Sequence, residues 1–527
     1  MKILIAIMLL LASMRCQAAI IMAHSPSQLD VSNAVQSAVS GDTVAIPAGT
    51  GHWTNTLIIF NKAINIIGSG IGQTVMVDDL SNNSDDSQRS IFRCDIYGSN
   101  KFRISGMSFV RGNQSFESGK GIIWNSGTSR AFRVDHCSFD KLRNLSIFWS
   151  GQACGVVDHC SFGLHPDGGA RPFHASDTEH GSWPPDTSGI YGDGSWASPA
   201  PLGTTNAVVF EDNYFFKTPD GTAAIDCFGG AHVVVRYNIF TNCYVASHGT
   251  DSSGRQRGGR SLEVYGNQFW GGLGQTYTPV DVRSGSCVSF SNIFSGYTIT
   301  TSLTAQRQDY ISGPYGYADG NSPWDVNSNG IYASGTHQGA TLALALSDTN
   351  STWTSGQWNG FSIRNLDTSI SARVVGTATH TLTLWPSDNI STPISFADGQ
   401  HYEIRLVDTV LDGPGMGSGT LFTGGFNTPS PVGWPHQTND PVYAWSNSMI
   451  NVQSGGGDFI SNNGYHPIMA GREYFDHTPK PGGYVPLIYP HPLVSGSTNT
   501  PPPTPPASVT LRIVSYQGRV LTSVGKQ

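Results

Sequence analysis

One polar, glycine-rich segment concentrates side chains that can bind or transform an anionic ligand. It reads Ser-His-Gly-Thr-Asp-Ser-Ser-Gly-Arg-Gln-Arg-Gly-Gly-Arg, and it places Arg255, Arg257 and Arg260 within six residues, shortly after His248. Guanidinium groups bind carboxylates through paired hydrogen bonds, so this spacing favours an acidic ligand such as a uronate sugar. A structural role stays open, in which the arginines bond to loop carbonyls or to Asp251.

Charged residues on both sides of this segment can extend the same binding surface. Asp281 and Arg283 follow the segment by about one repeat of the pattern described below, and Lys217 precedes it. We predict that the first two complete a groove with the arginines. Lys217 is expected to neutralise an acidic ligand from the opposite side.

Aromatic residues in an insertion at 163–205 form a second candidate surface. Trp183, Tyr191 and Trp196 lie in this stretch, which is rich in Pro and Gly. Flat aromatic rings suit the C–H faces of sugars, and the same rings suit packing of the insertion onto the rest of the chain. The sequence leaves both roles open.

A repeated phrase supplies the elements that must position these residues. Apolar and polar residues alternate, a small polar or sulfur-containing residue follows, and a Phe comes two residues later. The Phe anchors are Phe109, Phe139, Phe162, Phe215, Phe240, Phe269 and Phe294. A repeat of roughly 25 residues with period-2 alternation is typical of a solenoid whose coils bury one another's faces. We therefore predict an all-β fold, a right-handed single-stranded parallel β-helix.

The residue two positions before each Phe anchor should form a column along the solenoid. It is a sulfur residue in the early coils and an amide in the later ones: Met107, Cys137, Cys160, Asn213, Asn238, Asn267 and Asn292. Because Asn tolerates left-handed backbone, we expect the four Asn to occupy sharp bends and to stack as an amide ladder. The two cysteines should lie about 4.8 Å apart, either bridged or stacked.

Composition narrows the class of protein. The chain has 527 residues, 13% charged residues and a net charge of −8. This mild charge argues against a general nucleic-acid-binding surface but permits a local basic groove. The apolar start followed by small residues predicts a signal peptide and therefore export, and no later segment is apolar enough to span a membrane. We expect a monomer.

The pattern divides the chain into five parts. A short helix with Asp30 as its N-cap is predicted to close the open end of the solenoid. From 327 to 410 the Phe anchor disappears and short strands indicate a small inserted antiparallel β module, after which a coil-like phrase returns. The predicted parts are a signal peptide at 1–19, the β-helix at 24–326, the module at 327–410, the final coils and C-terminal segment at 411–494, and a Pro/Thr-rich linker and tail at 495–527.

The opening of the chain resembles that of β-helix proteins of the pectate lyase superfamily. It combines a helix, Gly-Asp-Thr-Val-x-Ile-Pro-Ala-Gly starting at Gly41, and Ile-x-Ile-x-Gly-x-Gly starting at Ile64. The resemblance covers residues 28–296. Within it, an Arg-Val-Asp-His-Cys-Ser-Phe phrase, an Asp-Gly phrase and an Arg-rich stretch follow in the order that pectate lyases show.

This resemblance implies roles for particular residues. In pectate lyases acidic groups hold Ca²⁺ against a uronate carboxylate, and an Arg removes the proton at C5. Carried over, Asp220 and Asp226 become Ca²⁺ ligands, and Arg257 or Arg260 becomes the base. The chain departs from the family's Arg-x-Pro-x-x-Arg, because its own sequence here is Arg-Gln-Arg-Gly-Gly-Arg.

The favoured function is a secreted lyase that cleaves a uronate-containing polysaccharide by β-elimination, with an acidic polysaccharide as its partner. One alternative is a noncatalytic carbohydrate-binding or adhesive β-helix, since this fold serves many roles. A third interpretation is a β-helix glycoside hydrolase. His248 and Gly249 match part of a polygalacturonase motif, but the coil before them has no pair of adjacent Asp residues, and hydrolysis uses paired carboxylates.

Overall fold

Three long parallel sheets form the body of the molecule. The computed structural model describes residues 18–81, 89–113, 121–140, 142, 145–164, 176–179, 193–217, 222–250, 257–271, 277–304, 331–385, 392–406, 411–419, 423–425, 428–430, 437–452, 457–463, 468–495, 511–516 and 519–524. Each coil adds one strand to each sheet, and each strand pairs in parallel with its counterpart one coil away. This arrangement confirms the predicted parallel β-helix.

Among the described residues, the first sheet has twelve strands and the other two have ten each. The first comprises Ile20–Met22, Thr43–Ile46, Asn65–Gly68, Phe102–Ser105, Phe132–Asp135, Gly155–Asp158, Val208–Glu211, His232–Arg236, Ser261–Tyr265, Ser286–Phe290, Val442–Trp445 and Tyr474–Asp476. The second comprises Leu57–Phe60, Phe92–Ile96, Ile123–Gly127, Ile147–Trp149, Ser176–Glu179, Thr222–Phe228, Cys243–Ser247, Val280–Val282, Thr301–Leu303 and Ile460–Ser461. The third comprises Gly49–Trp53, Thr74–Asp78, Ser108–Arg111, Ser138–Asp140, Ser161–Leu164, Tyr214–Lys217, Ile239–Thr241, Gln268–Trp270, Ile293–Ser295 and Ser448–Ile450.

The Phe anchors stack inside the solenoid as a continuous column on the third sheet. Neighbouring rings from Phe109 to Phe294 have centroids 4.6 to 5.0 Å apart, close to the spacing of adjacent strands. All seven rings are buried. One coil therefore fixes the position of the next through identical side chains in register.

The amide ladder is present, and it holds the corner between the first and third sheets. The Asn267 side chain accepts from the backbone N–H of Asn238 at 3.0 Å, and its amide donates to Asn292 Oδ1 at 3.0 Å. Asn447 continues the same ladder after the insertion. The left-handed backbone lies one residue earlier than predicted, for example at Asp212 and Tyr237, because the Asn itself must aim its amide along the solenoid axis.

The sulfur residues precede the amides in the same column, and the cysteines are stacked rather than bridged. Cys137 and Cys160 are free and buried, and Asn213 Oδ1 accepts from the Cys160 backbone N–H at 2.9 Å. Burial raises the pKa of the Cys160 thiol well above its usual range. The other described cysteines are also buried, and none of them is part of a disulfide.

An α-helix at Gln28–Ser37 lies at the N-terminal end and buries Val31, Ala34 and Val35. The prediction of Asp30 as its N-cap was wrong. Ser27 is the N-cap, because its side chain accepts from the Asp30 backbone N–H, and Asp30 lies in the first helical turn. Two further helical turns comprise Asp193–Trp196 and Pro492–Ser495.

An antiparallel module interrupts the solenoid after the strand Thr301–Leu303. Its six-stranded sheet comprises, in spatial order, Ile331–Thr336, His401–Leu406, Phe361–Asn365, Ser371–Thr377, Thr381–Trp385 and Ala345–Ser347. It has its own buried core, which includes Ile363, Val374 and Ile404. Two-strand sheets comprise Leu342–Ala343 with Ser395–Phe396, Thr423–Gly425 with Thr428–Ser430, and Leu511–Tyr516 with Arg519–Val524.

The solenoid then resumes in register, because Val442–Trp445 pairs directly with Ser286–Phe290. Residues 484–495, the C-terminal strap, run back over the outer face of the first sheet. Leu487 of the strap packs on Val209 and Val234, and Arg236 donates to the Ile488 carbonyl at 2.9 Å. Within the described part of the chain, no helix is long and apolar enough to cross a membrane. The predicted signal peptide and Pro/Thr-rich linker fall largely outside the described residues.

Candidate functional site

The outer face of the second sheet carries polar residues in adjacent coils. Side chains alternate along each strand, so Cys227, Val245 and Val282 point into the core while their neighbours point out. The parallel register then places Asp226, Ala246, Asp281 and Ser302 on successive coils of one outward column. We call the surface around this column the second-sheet groove.

His248 lies at the centre of the groove, one residue beyond the strand Cys243–Ser247. Its Nδ1 is 2.5 Å from Asp226 Oδ2, and its Nε2 is 2.9 Å from the NH1 nitrogen of Arg283. A guanidinium can only donate, so Nε2 is the acceptor and Nδ1 carries the proton that is donated to Asp226. The three side chains therefore hold a neutral imidazole in one tautomer and one orientation.

Burial differs across this triad. The Asp226 carboxylate is fully buried, whereas 18% of the His248 side chain is exposed and Arg283 is half-buried. The carboxylate thus anchors the imidazole from below. The imidazole and the guanidinium face the groove, where a ligand can reach them.

A polar cavity of about 270 Å³ adjoins the triad. Its walls are Tyr244, Tyr277, Thr278, Asp281, Ser302, Thr304 and Asn463. Hydroxyl, amide and carboxylate groups with two aromatic rings are the groups that bind sugar hydroxyls and sugar faces. The cavity has room for a sugar unit beside the charged triad.

Asp281 links the cavity to the triad. Its Oδ1 accepts from Ser302 Oγ and Thr304 Oγ1, each at 2.9 Å. Burial raises the pKa of Asp281, and the nearby charge of Arg283 opposes that shift. Arg283 follows two residues later on the same face, so its guanidinium lies next to the polar cavity.

Tyr244 forms the other wall of the cavity. Its ring centroid lies 5.4 Å from that of Tyr277. Burial, reinforced by the charges of Asp281 and Asp226, raises the pKa of the Tyr244 hydroxyl to about 12. This hydroxyl is therefore a proton donor at neutral pH.

Comparisons with known proteins give remote similarity only. No family model matches the chain, and no curated protein matches it. Two solved structures of the PL6 family alginate lyase AlyGC match 54% of this chain at 15% identity, with TM-scores of 0.32 and 0.33. The match spans 41% and 40% of the length of those two chains.

Two further solved structures are similar over different lengths. The PL6 family polysaccharide lyase Pedsa3628 from Pseudopedobacter saltans matches 54% of this chain and 65% of its own, at 14% identity and a TM-score of 0.33. The protein ORF18 of Geobacillus virus E2 matches 78% of each chain at 12% identity and a TM-score of 0.26.

The arginines predicted to act as the base lie elsewhere, in a buried ion-pair cluster. Arg257 donates to both carboxylate oxygens of Asp412, at 2.7 and 2.8 Å, and both side chains are fully buried. Arg260 is also buried and lies 3.4 Å from Asp440. These contacts join the solenoid to the chain segment that follows the module and give the arginines a structural role. The sequence suggested Asp251 as a partner, whereas the described carboxylate partners are Asp412 and Asp440.

Trp196 packs within the same cluster. Its ring lies 5.1 Å from the Arg257 guanidinium carbon and 5.0 Å from that of Arg260, and its Nε1 donates to the Gly258 carbonyl. The ring is fully buried. This placement favours the packing role, one of the two that the sequence left open for Trp196, because neither ring face is open to a ligand.

The remaining predicted site residues are dispersed. Lys217 is buried at the end of its strand in the third sheet, so it does not face the second-sheet groove as an exposed cation. Trp183, Tyr191, Asp220 and Arg255 lie outside the described residues. The groove therefore unites four of the predicted residues: Asp226, His248, Asp281 and Arg283.

The cavity walls other than Asp281 were missed by sequence reasoning, although a signal was present. Tyr244, Ser302 and Thr304 do not form a motif, but Tyr244 and Ser302 lie at alternate positions of strands in the second sheet, and Thr304 directly follows the strand of Ser302. Aligning each strand with the Asp281 and Arg283 pair would have placed Ser302 and Thr304 beside it. Asn463 could not be placed from the local sequence pattern, because its position depends on how the chain returns to the solenoid after the module.

The described residues do not fit the Ca²⁺ site that the resemblance implies. Ca²⁺ takes six to eight oxygen ligands. Asp226 is engaged by His248, and the positive Arg283 lies against the same imidazole. Its proposed fellow ligand, Asp220, lies outside the described residues. The proposed chemistry therefore uses no metal ion.

Proposed function

We propose that the protein is an exported polysaccharide lyase that cleaves a uronate-containing polymer by β-elimination in the second-sheet groove. The observation that carries the proposal is the neutral His248 held between buried Asp226 and half-buried Arg283. A base and a carboxylate-binding cation therefore lie side by side. The polar cavity next to them supplies partners for the hydroxyls of the same sugar.

The elimination assigns one task to each group. Arg283 binds the uronate carboxylate and withdraws charge, which acidifies the C–H proton at C5. His248 Nε2 accepts that proton as the C4–O bond breaks and a C4–C5 double bond forms. Tyr244 donates its hydroxyl proton to the departing oxygen, and the imidazolium then returns a proton to the phenolate through solvent. Asp226 stabilises the transient imidazolium.

The partner in this proposal is an acidic polysaccharide met outside the cytoplasm, bound by a monomeric chain. Two features support an acidic polymer met outside the cytoplasm. The N-terminus resembles a signal peptide, and Arg283 gives the groove a cation in a chain whose net charge is only −8. Tyr244 and Tyr277 add aromatic surface for the sugar ring.

The test is a product assay on pectate, alginate and related acidic polymers. We expect an ultraviolet-absorbing unsaturated product from at least one of them, formed equally with and without a calcium chelator. His248→Gln should abolish the product by removing the base. His159→Gln is the matched control, since His159 is a half-exposed imidazole also bonded to an Asp, but on the first sheet.

Two results would contradict the lyase. Binding of an acidic polymer without product would identify an adhesive or carbohydrate-binding protein. New reducing ends without ultraviolet absorbance would identify a hydrolase.

A further inference from the structure

The contact between His248 and Arg283 occupies the nitrogen atom that the proposed reaction needs. The NH1 nitrogen of Arg283 lies 2.9 Å from Nε2, so the lone pair of the base is engaged in a hydrogen bond. The other ring nitrogen already donates to Asp226. In this arrangement the imidazole is held in place, and it cannot accept a proton from carbon at Nε2.

We infer that Arg283 is a carboxylate-operated latch: a uronate carboxylate draws its guanidinium away from His248 and thereby exposes the base only when an acidic sugar is bound. This inference rests on the proposed function and adds the source of its substrate selectivity. The latch consists of the Arg283 guanidinium and the His248 Nε2 atom.

The exchange of acceptors is favourable because the two acceptors differ in charge. Hydrogen bonds between a guanidinium and a carboxylate are paired and join two opposite charges, whereas the bond to the imidazole is single and carries a charge on the donor only. The imidazole is a neutral, single acceptor. A carboxylate that enters the groove therefore competes successfully for Arg283, whereas a sugar hydroxyl does not.

The anchor on the other side makes the release productive. Asp226 is fully buried and bonded to Nδ1 at 2.5 Å, so the ring keeps its orientation when the guanidinium leaves. Asp281, two residues before Arg283 on the same face, is held by Ser302 and Thr304. The half-buried Arg283 side chain is the member of the triad that moves.

The latch predicts a specific selectivity. A neutral sugar of the same size can fill the polar cavity but leaves the base covered. A uronate fills the cavity and also opens the latch. The carboxylate is thus required twice, once to acidify its own C5 proton and once to expose the group that removes it.

The experiment is a nuclear magnetic resonance titration of the full chain labelled with ¹⁵N-histidine. The His248 signals are assigned by their loss in His248→Gln. Without ligand we expect the Nδ1–H tautomer. Monomeric galacturonate, mannuronate or guluronate should shift the Nε2 resonance, whereas galactose, mannose and gulose at equal concentration should not.

A variant isolates the guanidinium. In Arg283→Gln the Nε2 resonance should already differ from that of the native protein, and uronate should bind about ten- to a hundredfold more weakly, the loss expected for a charged hydrogen bond. Arg93→Gln is the control, because Arg93 lies on the same sheet but pairs with Asp95. It should leave the titration unchanged.

The outcomes separate the latch from the lyase. An equal shift with neutral sugars, no shift with any uronate, or an unchanged uronate response in Arg283→Gln would overturn the latch. If the variant does not fold, the comparison of uronates with neutral sugars on the native protein decides alone. A normal uronate response together with no unsaturated product from any polymer would retain carboxylate exchange at Arg283 and refute the lyase.

Discussion

Replacement of Arg257 by Met tests whether this arginine is structural or catalytic. The change removes two buried hydrogen bonds to Asp412 and leaves that carboxylate with the Gly258 N–H and the Gln437 amide as its described partners. Breaking a buried ion pair by removing one partner costs about 3–5 kcal/mol. We therefore expect local opening of this cluster to become about a hundredfold to several thousandfold more frequent.

Hydrogen exchange read by mass spectrometry measures that opening. The protection of peptides that cover 257–260 and 411–419 should fall, while peptides from the Phe column near the N-terminal helix should keep theirs. Arg405→Met is a matched control because Arg405 pairs with Glu403 within the module, where both side chains are partly exposed. Its effect should remain near or below about 1 kcal/mol.

A second variant separates the effect of the unpaired Asp412 charge from the effect of the changed side-chain volume at position 257. Asp412→Asn added to Arg257→Met removes the uncompensated charge, and Asn tolerates the left-handed backbone of this position. We expect the double variant to recover most of the protection. Unchanged protection in Arg257→Met together with complete loss of lyase activity would refute the structural assignment and restore Arg257 as the base that the resemblance implies.

Two further substitutions and one labelling experiment have defined outcomes. Asn267→Ala leaves buried ladder groups without partners and should cost about 2–4 kcal/mol, seen as a lower urea midpoint than for the exposed control Asn55→Ala. Burial raises the pKa of Glu263 from 4.5 to about 7, against opposing hydrogen bonds from Tyr484 and Gly203. The contribution of Glu263 to the free energy of unfolding is therefore fully present below pH 4.5 and decreases by about 3 kcal/mol as pH rises through about 7. Glu263→Gln should remove that decrease in urea titrations. The seven described cysteines are buried thiols outside any disulfide, so a bulky thiol reagent should label them in denaturant and leave them unlabelled in the native protein; rapid native labelling would contradict their burial.

The repeating parts of the fold could be predicted because each coil repeats the same local physics. Phe240 and Phe269 occupy equivalent positions, so a pattern in the sequence becomes a column in space. The left-handed bend was assigned one residue too late. Asn tolerates left-handed backbone, but in this column the Asn residues are needed for the hydrogen bonds of the amide ladder, so the preceding residue takes the bend. Tyr237 adopts the bend, and Asn238 accepts from Asn213 and donates to Asn267 along the ladder.

The candidate site was predictable only where its residues follow the period of the strands. Asp281 and Arg283 were identified from their position one coil after the arginine-rich segment. The burial of Arg257 was not, because its partner Asp412 is 155 residues away and reaches it only after the chain has passed through the module. Sequence spacing reports contacts within and between adjacent coils. It does not report which later segment covers an outer face.

The C-terminal strap changes how the molecule must fold. In a simple solenoid each coil touches only its neighbours, so folding can spread from coil to coil as the chain is made. The strap instead closes contacts between residues separated by 252 positions, from Arg236 to Ile488, and by 360 positions, from Arg133 to Leu493. Such long closures are slow, and they are formed late because their second half is synthesised last. The central coils of a nascent chain therefore expose the apolar outer face around Val209 and Val234 until the strap arrives, and a chain truncated before residue 484 would keep that face exposed.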